Sequence, residues 1–345
     1  MDGEASGGYR FSVGPLGLGA NNTPFKSMSL KRFIAHRLLV SIPVLWGVSV
    51  ITFGLVHLTP TDPVDLMIQM NPELQPGEEA MLRRQMGLHR PIYIQYLDWV
   101  VNAMQGDFGV TFSRGPDVNT LIWARLPETV LLGFFAWAIA LLIAIPGGVY
   151  AAIRKGRLGD DASRFVALAG ISIPNFWLGL MLIGIFAVRL GWFPVLDPQK
   201  DLLSPDMLWW LLLPGITLGT AASAALMRIM RTSMAEEMSK DYVTAARAKG
   251  LPERTVLLKH VLRNSLISVA TLAAFLTASI VSGAVVVDFV FGWPGLGQLF
   301  VNAILEREMN LILAITLFTG VAIILANLAA DIVYGILDPR IREDF

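Results

Sequence analysis

The residue types that most often do chemistry in proteins are sparse in this sequence and poorly placed to act together. The chain of 345 residues has no cysteine, so thiol catalysis and Cys-ligated metal centres are excluded. Its four histidines, His36, His57, His89 and His260, do not form a His-Glu-x-x-His zinc pattern. No Gly-x-Ser-x-Gly elbow occurs, and no Gly-x-x-x-x-Gly-Lys-[Ser/Thr] loop is available to hold a nucleotide phosphate. These patterns argue against an enzyme and against an ATP site within the chain.

The composition is that of a membrane protein. Hydrophobic residues make up 54% of the chain and charged residues 16%, and the mean hydropathy is +0.58. Basic and acidic side chains balance at 27 each, which gives no reason to expect nucleic-acid binding. Six apolar runs are long enough to cross a bilayer, because about 20 helical residues span its core of about 30 Å. They are predicted at 38–58, 129–153, 165–190, 208–227, 266–290 and 311–337.

Basic residues are distributed unevenly among the segments that join these runs. Segments 154–164 and 228–265 together carry twelve Lys and Arg residues, whereas 191–207 and 292–310 together carry two. Because short loops rich in Lys and Arg stay in the cytoplasm, the first pair of segments is predicted to be cytoplasmic. Six crossings then place both termini on the cytoplasmic side.

The predicted fold class is an all-α membrane protein with six transmembrane helices, divided into five parts. The parts are a mobile N-terminal tail (1–28), a first transmembrane helix with a basic cytoplasmic flank (29–58), a sizeable external and partly helical segment (59–128), a five-helix transmembrane core that includes the loop 228–265 (129–337), and a cytoplasmic C-terminal tail (338–345). Within the external segment, one helix is expected over 78–86 with Gly87 as its stop, and a second opens at Pro91.

The most informative stretch is a polar island at 236–264, between the fourth and fifth runs. Met234, Met238 and Tyr242 recur at helical spacing, which predicts an amphipathic helix over 233–249. Gly250 suits the left-handed residue after a helix and Pro252 suits the start of the next helix, so a helix-turn-helix elbow is expected. A solvated loop is the simpler interpretation, but an apolar stripe outside the lipid favours a surface for a partner.

The residues of this elbow, and three short runs elsewhere in the chain, follow an order that is found in a known family of proteins. The matching runs are Asp241-Tyr242-Val243, Ala246-Arg247-Ala248-Lys249-Gly250-Leu251 and His260-Val261-Leu262-Arg263-Asn264, with Ser172-Ile173-Pro174, Phe291-Gly292-Trp293-Pro294-Gly295 and Asp338-Pro339-Arg340 elsewhere in the chain. This order resembles the EAA loop of permeases in ATP-binding cassette (ABC) importers, in the variant of dipeptide and oligopeptide permeases. Thr244, His260 and Arg263 depart from the general pattern, which has Glu, Ile and Pro at those places.

The resemblance implies the permease subunit of an ATP-driven importer in a prokaryotic cytoplasmic (inner) membrane, forming half of a path for dipeptides or oligopeptides. It implies a second homologous permease, two cytoplasmic ATPase subunits that hold ATP and Mg, and an external substrate-binding protein. No cofactor is expected on this chain itself. The residues expected to couple to the ATPases are Tyr242, Ala245, Ala246, Arg247, Lys249, Gly250 and Leu251.

The apolar runs offer fewer candidates for a translocation path. No ionisable residue lies in the middle of a predicted span, so a proton relay is not expected. The polar or aromatic candidates for lining the path are Asn175, Trp177, Ser223, Thr277, Ser282 and Asp288. For each of them, contact between helices is the alternative role. Small residues at every fourth position are predicted to let helices pack closely, at Gly215, Gly219 and Ser223 and at Ala270, Ala274, Ala278 and Ser282.

Two other classes of function remain open on the residues alone. A secondary transporter or channel would follow an ion gradient without an ATPase, and a membrane-embedded scaffold or enzyme would act without one. Within the family that the chain resembles, nickel chelates, glutathione and oligosaccharides are alternative substrates.

Overall fold

The computed structural model describes residues 30–58, 64–65, 68, 76–111, 115–158, 165, 170, 172–194 and 204–337. Within these ranges the chain is helical, apart from short connections and one isolated bridge between Val110 and Asp117. The helices are α1 (Leu30–His57), α2 (Pro76–Gln85), α3 (Ile92–Met104), α4 (Val118–Ile153), α5 (Asn175–Leu182, continued by a π-helical stretch Ile183–Arg189), α6 (Pro205–Glu237), α7 (Asp241–Ala248), α8 (Glu253–Phe291, with a π-helical stretch Val256–Val261), α9 (Leu296–Leu305) and α10 (Met309–Leu337).

Among the described residues, five helices are long and apolar enough to cross a membrane: α1, α4, α6, α8 and α10. They match five of the six predicted spans. The remaining span, 165–190, corresponds to α5 and its π-helical continuation, where the described helix begins after Pro174. Half of 165–174 lies outside the described residues, as do the predicted tails 1–28 and 338–345, so the count of six stays a prediction.

The segment between the first two spans contains the expected short helices, and the helix that carries the second predicted span begins before that span. α2 ends before Gly87, which has a φ of +71°, and α3 starts directly after Pro91. α4, however, begins at Val118 and not at 129, and it continues through Pro127. A proline lacks one backbone donor but does not stop a helix when the surrounding turns are held in place by packing.

The centre of the molecule is a close pairing of α4 with α6. A Cβ atom on Gly219 of α6 would lie 2.6 Å from the carbonyl oxygen of Ala136, and one on Gly148 of α4 would lie 2.6 Å from Cβ of Met230. Fully buried alanines continue the seam along α4, at Ala136, Ala140 and Ala144. The predicted small-residue stripe of α6 is therefore used for helix packing, where close backbone approach replaces the missing hydrophobic force.

The second predicted stripe, on α8, is used differently. Ala270, Ala274 and Ala278 are only half-buried, and Ser282 is exposed. This face of α8 is not closed off by the described part of the chain.

Candidate functional site

The predicted elbow is present, but the helix that leads into it is not continuous. α6 ends at Glu237, and the amides of Ser239 and Lys240 bond to carbonyls three residues back, at 3.1 and 3.2 Å. Lys240 is then extended, with a ψ of 151°, before α7 begins. The prediction of one helix over 233–249 is therefore wrong: the chain turns at 238–240, and the short helix α7 begins after that turn.

Gly250 occupies the left-handed position that the sequence predicts. Its φ is +74°, its amide bonds to the carbonyl of Arg247 at 2.9 Å, and the amide of Leu251 bonds to the carbonyl of Ala246 at 3.4 Å. This pair of bonds is the Schellman arrangement that ends helices at glycine. Pro252 then precedes the first residue of α8, as expected. We call residues 238–255, with α7 at their centre, the elbow.

The apolar stripe of the elbow packs against the chain itself. Met234 is fully buried, and Met238 and Tyr242 are half-buried against the same core cluster, which also holds Val243, Ala246, Val256 and Val261. This corrects the interpretation of the stripe as a surface for a partner. It also separates Ala246 from the rest of the predicted coupling set, because its side chain faces inward.

The remaining coupling candidates do lie on the surface. Ala245, Arg247, Lys249 and Gly250 are exposed, and Leu251 is 38% exposed although it is a large apolar residue. A Cβ atom on Gly250 would meet no atom within 4 Å. The tip of the elbow is therefore open to a neighbouring protein, and its glycine is required by backbone conformation and not by crowding within the chain.

Tyr242 links the elbow to both neighbouring spans. Its hydroxyl donates to Oε2 of Glu237, at the end of α6, at 2.5 Å, and accepts from Nδ2 of Asn264, in α8, at 3.1 Å. Lys240 forms an ion pair with the same Glu237. Burial, and then the bond to Glu237, raise the pKa of Tyr242 above its usual value, so the hydroxyl keeps its proton. The sequence predicts Tyr242 as a site residue but not these partners.

A second pair closes the elbow on its exposed side. Arg247 donates from Nη2 and Nε to the two carboxylate oxygens of Glu253, at 2.7 and 3.2 Å. The two side chains are 44% and 56% exposed, so water screens the pair. The hydrogen bond to Glu253 raises the pKa of Arg247 further above an already high value.

The path candidates are dispersed over α5, α6 and α8. Ser223 is buried, Thr277 is half-buried and Ser282 is exposed, and each hydroxyl donates to a carbonyl of its own helix, at 2.7, 3.1 and 3.4 Å respectively. Asn175 is half-buried at the first position of α5, and Trp177 is 47% exposed. Nδ2 of Asn175 lies 3.6 Å from a Cβ atom placed on Gly283, next to Ser282 in α8, and the role of these side chains in a path stays a prediction.

Asp288 has a specific structural partner. It is fully buried, and its Oδ2 accepts from the amide of Gly297, at the start of α9, at 3.0 Å. Thr129 of α4 accepts the neighbouring amide of Leu296 at 2.7 Å. These two side chains satisfy amides that would otherwise be free at the first turn of α9. Asp288 thus fixes the connection between α8 and α9, residues 292–295, which with the first turn of α9 we call the corner.

The corner is closed by further contacts to α4. The indole Nε1 of Trp293 donates to the carbonyl oxygen of Glu128 at 3.0 Å, and Trp293 is fully buried. A Cβ atom on Gly297 would lie 2.5 Å from Cα of Val285, and one on Gly295 would collide with the Asp288 carboxylate. Gly295 and Gly297 of the corner are therefore required by crowding.

No metal-binding arrangement appears in the described ranges. They contain no group of three or more His, Cys, Asp or Glu side chains that could hold a metal ion. A cavity of about 470 Å³ lies between the ends of α1 and α3 and the start of α10, and none of the predicted site residues lines it.

The fold and the site define a class: a membrane-embedded component of a transport system, made of packed apolar helices with one surface elbow. The chain belongs to the family described as binding-protein-dependent transport system inner membrane component, which matches residues 144–343, and the N-terminal part of such components matches residues 30–133. It is thus a non-catalytic, multi-pass inner-membrane permease of an ATP-driven ABC importer, and it acts in a complex with ATPase and other subunits.

Relatives of known name are similar over nearly their whole length. The oligopeptide transport system permease protein AppB of Bacillus subtilis is 41% identical, over 90% of this chain and 99% of its own. The di/tripeptide transport system permease protein DppB of Pseudomonas aeruginosa and the glutathione transport system permease protein GsiC of Escherichia coli K12 are each 37% identical, over 90% of this chain and 98% of theirs.

A solved structure shows the same fold. The inward-facing MetNI methionine ABC transporter matches 63% of this chain and 96% of its own, with a TM-score of 0.52 and 17% sequence identity. At that identity the likeness concerns the fold alone.

Proposed function

We propose that this permease imports dipeptides or oligopeptides, paired with a second homologous permease, two cytoplasmic ATPases that bind ATP and Mg, and an external substrate-binding protein. In this arrangement both termini and the elbow face the cytoplasm, as the distribution of basic residues predicts. The names of AppB and DppB support a peptide substrate, and that of GsiC supports glutathione, itself a tripeptide, as the alternative.

The elbow is the part of this chain that couples to the ATPase. One observation carries the proposal: the tip of the elbow presents Gly250 in a left-handed turn with open space around it, beside the exposed Arg247, Lys249 and Leu251. The stripe that could have bound a partner packs against the core of this chain, so the tip is the surface that remains for docking. Movement of the docked ATPase would then displace α6 and α8, to which the elbow is joined.

The half-buried face of α8 fits contact with the second permease. Ala270, Ala274 and Ala278 are small enough for close helix approach, and the described part of the chain leaves them incompletely covered. A complete translocation path then requires both permeases. The residues that the sequence assigns to this chain's half of the path are Asn175, Trp177, Ser223, Thr277, Ser282 and Asp288.

Gly250→Glu tests the docking role. A bulky acidic side chain at the tip strains the left-handed turn and fills the space left for the partner, so ATPase subunits should no longer co-purify and peptide uptake should fall at least tenfold, a loss of about 1.4 kcal/mol or more in coupling. The measurements are co-purification and uptake in cells that carry the whole complex.

Gly156→Glu is the matched control. Gly156 also has a positive φ, of +78°, and no atom lies within 4 Å of a Cβ placed on it, but it lies in the loop after α4. The control should assemble and transport as the natural protein does. Normal uptake by Gly250→Glu would refute docking at the elbow.

The substrate is tested by competition for uptake. In cells that carry the whole complex, an unlabelled dipeptide or tripeptide in excess should abolish uptake of a labelled tripeptide. Uptake that is competed by glutathione but not by other peptides would replace the peptide assignment with the glutathione one.

A further inference from the structure

We propose that the Tyr242 hydroxyl is a positioning group for transport, because it holds α7 to both α6 and α8 and so transmits displacement of the elbow into the spans. This inference rests on the proposed function. It assigns to one side chain the mechanical connection that coupling requires.

The backbone alone gives a weak connection between the elbow and the spans. α7 has eight residues and is separated from α6 by the turn at 238–240 and from α8 by the turn at 249–252. A short helix between two turns can pivot unless side chains fix it. Val243 and Ala246 pack inward, but apolar contacts have no preferred direction and permit sliding.

The Tyr242 hydroxyl supplies directional bonds to both spans at once. As donor it reaches Glu237 in the last position of α6, and as acceptor it takes a hydrogen from Asn264 in α8, at 2.5 and 3.1 Å. The Glu237 side chain is only 13% exposed, so the charge-assisted bond is partly shielded from water. Lys240, in the turn between the helices, holds the same carboxylate.

The two spans are connected to each other independently of Tyr242. Deeper along the helices, the Ser233 hydroxyl of α6 lies 3.2 Å from Oγ of Ser268 and 3.4 Å from the carbonyl oxygen of Ser265. Loss of the Tyr242 hydroxyl would therefore loosen the elbow against the spans while α6 and α8 stay paired. That distinction makes the role measurable.

Tyr242→Phe removes only the hydroxyl and keeps the ring that packs against the core. In the complete complex, reconstituted in vesicles with its binding protein, we expect normal subunit assembly and a thermal midpoint that is only slightly lowered, because a single net hydrogen bond is lost. We also expect continued ATP hydrolysis, with peptide transported per ATP reduced roughly two- to tenfold, the range that one net hydrogen bond corresponds to. Asn264→Ala removes the amide that bonds to Tyr242 and to Glu237 but keeps the bond from Tyr242 to Glu237, so it should lower the same ratio by a smaller factor.

Thr232→Val provides the control outside the elbow. It removes a hydroxyl of α6 that donates to the carbonyl oxygen of Arg228, within the same helix. The transport-to-ATP ratio of this variant should equal that of the natural protein. An equal ratio in Tyr242→Phe would overturn the inference and leave the proposed function standing.

The same measurements distinguish this positioning role of Tyr242 from a role in the stability of the fold alone. If Tyr242→Phe lowered the thermal midpoint while uptake and hydrolysis fell in parallel, the ratio would be unchanged and the inference would be refuted. If uptake by the natural complex did not depend on ATP hydrolysis, the proposed function itself would fail, and this inference with it.

Discussion

The two ends of α8 carry turns built around glycine, and the glycines serve opposite purposes. At the elbow, Gly250 has a φ of +74° and open space on every side of its missing side chain. At the corner, Gly292 is also left-handed, with a φ of +64°, but Gly295 and Gly297 lie against the Asp288 carboxylate and the Val285 backbone. One turn is exposed and the other is enclosed.

The difference shows which parts of a permease are complete within one chain. The corner satisfies its amides with Asp288 and Thr129 and buries Trp293, so its geometry is fixed without a partner. The elbow buries its apolar residues but leaves its tip unoccupied. A turn that receives force from another subunit must be packed against its own chain and must also expose a surface to that subunit. The elbow meets both conditions.

The largest effect expected from this comparison is at the corner. Gly297→Ala would place a Cβ atom 2.5 Å from Cα of Val285, which cannot move without shifting α8, so we expect a loss of about 3 kcal/mol and poor accumulation of folded protein. Thermal unfolding of the detergent-solubilised complex measures it. Gly133→Ala in α4, where no atom lies within 4 Å, should be neutral or slightly stabilising. Equal behaviour of the two variants would remove the crowding argument.

Asp288→Ala should have the next largest effect. It leaves the buried Gly297 amide without its acceptor, which costs roughly 2 kcal/mol. Asp288→Asn keeps a side-chain oxygen in place and should lose less than half as much. The same unfolding measurement applies, and an alanine variant as stable as the asparagine variant would show that the hydrogen bond does not hold the corner.

The smallest effect on stability is expected at the elbow. Gly250→Ala strains the left-handed turn by roughly 1 kcal/mol without a clash, and Gly250→Asn should cost less because asparagine tolerates this conformation. Both variants should fold, and both should weaken co-purification of the ATPases because the tip is no longer bare. Full ATPase binding by Gly250→Asn would mean that only the turn matters, and not the space around it.

Local backbone preferences explain what the sequence predicts correctly. Gly87 and Gly250 are left-handed helix stops and Pro91 precedes a helix, because these preferences belong to the residues themselves. The long spans follow from length and hydropathy in the same way. The exposed part of the coupling set also follows, since charged and small residues at a polar turn lie in water.

Contacts between distant residues explain what the sequence misses. The break at 238–240 contains neither glycine nor proline; it accompanies the burial of Val243 and Ala246 in a core formed with other helices. α9 has ten residues, too few to be read as a span, and it depends on Asp288 for its first turn. Neither feature has a signal in the adjacent sequence.

The π-helical stretch Val256–Val261 lies between the elbow and the main length of α8. A single-turn π stretch holds one residue more than the α-helical turn it replaces. Because a π turn and an α turn each carry the chain once around the axis, removing that residue would restore ordinary winding and leave the elbow at nearly the same angle relative to Asn264. The number of residues between the elbow and α8 can therefore change by one at this stretch without turning the elbow away from the spans.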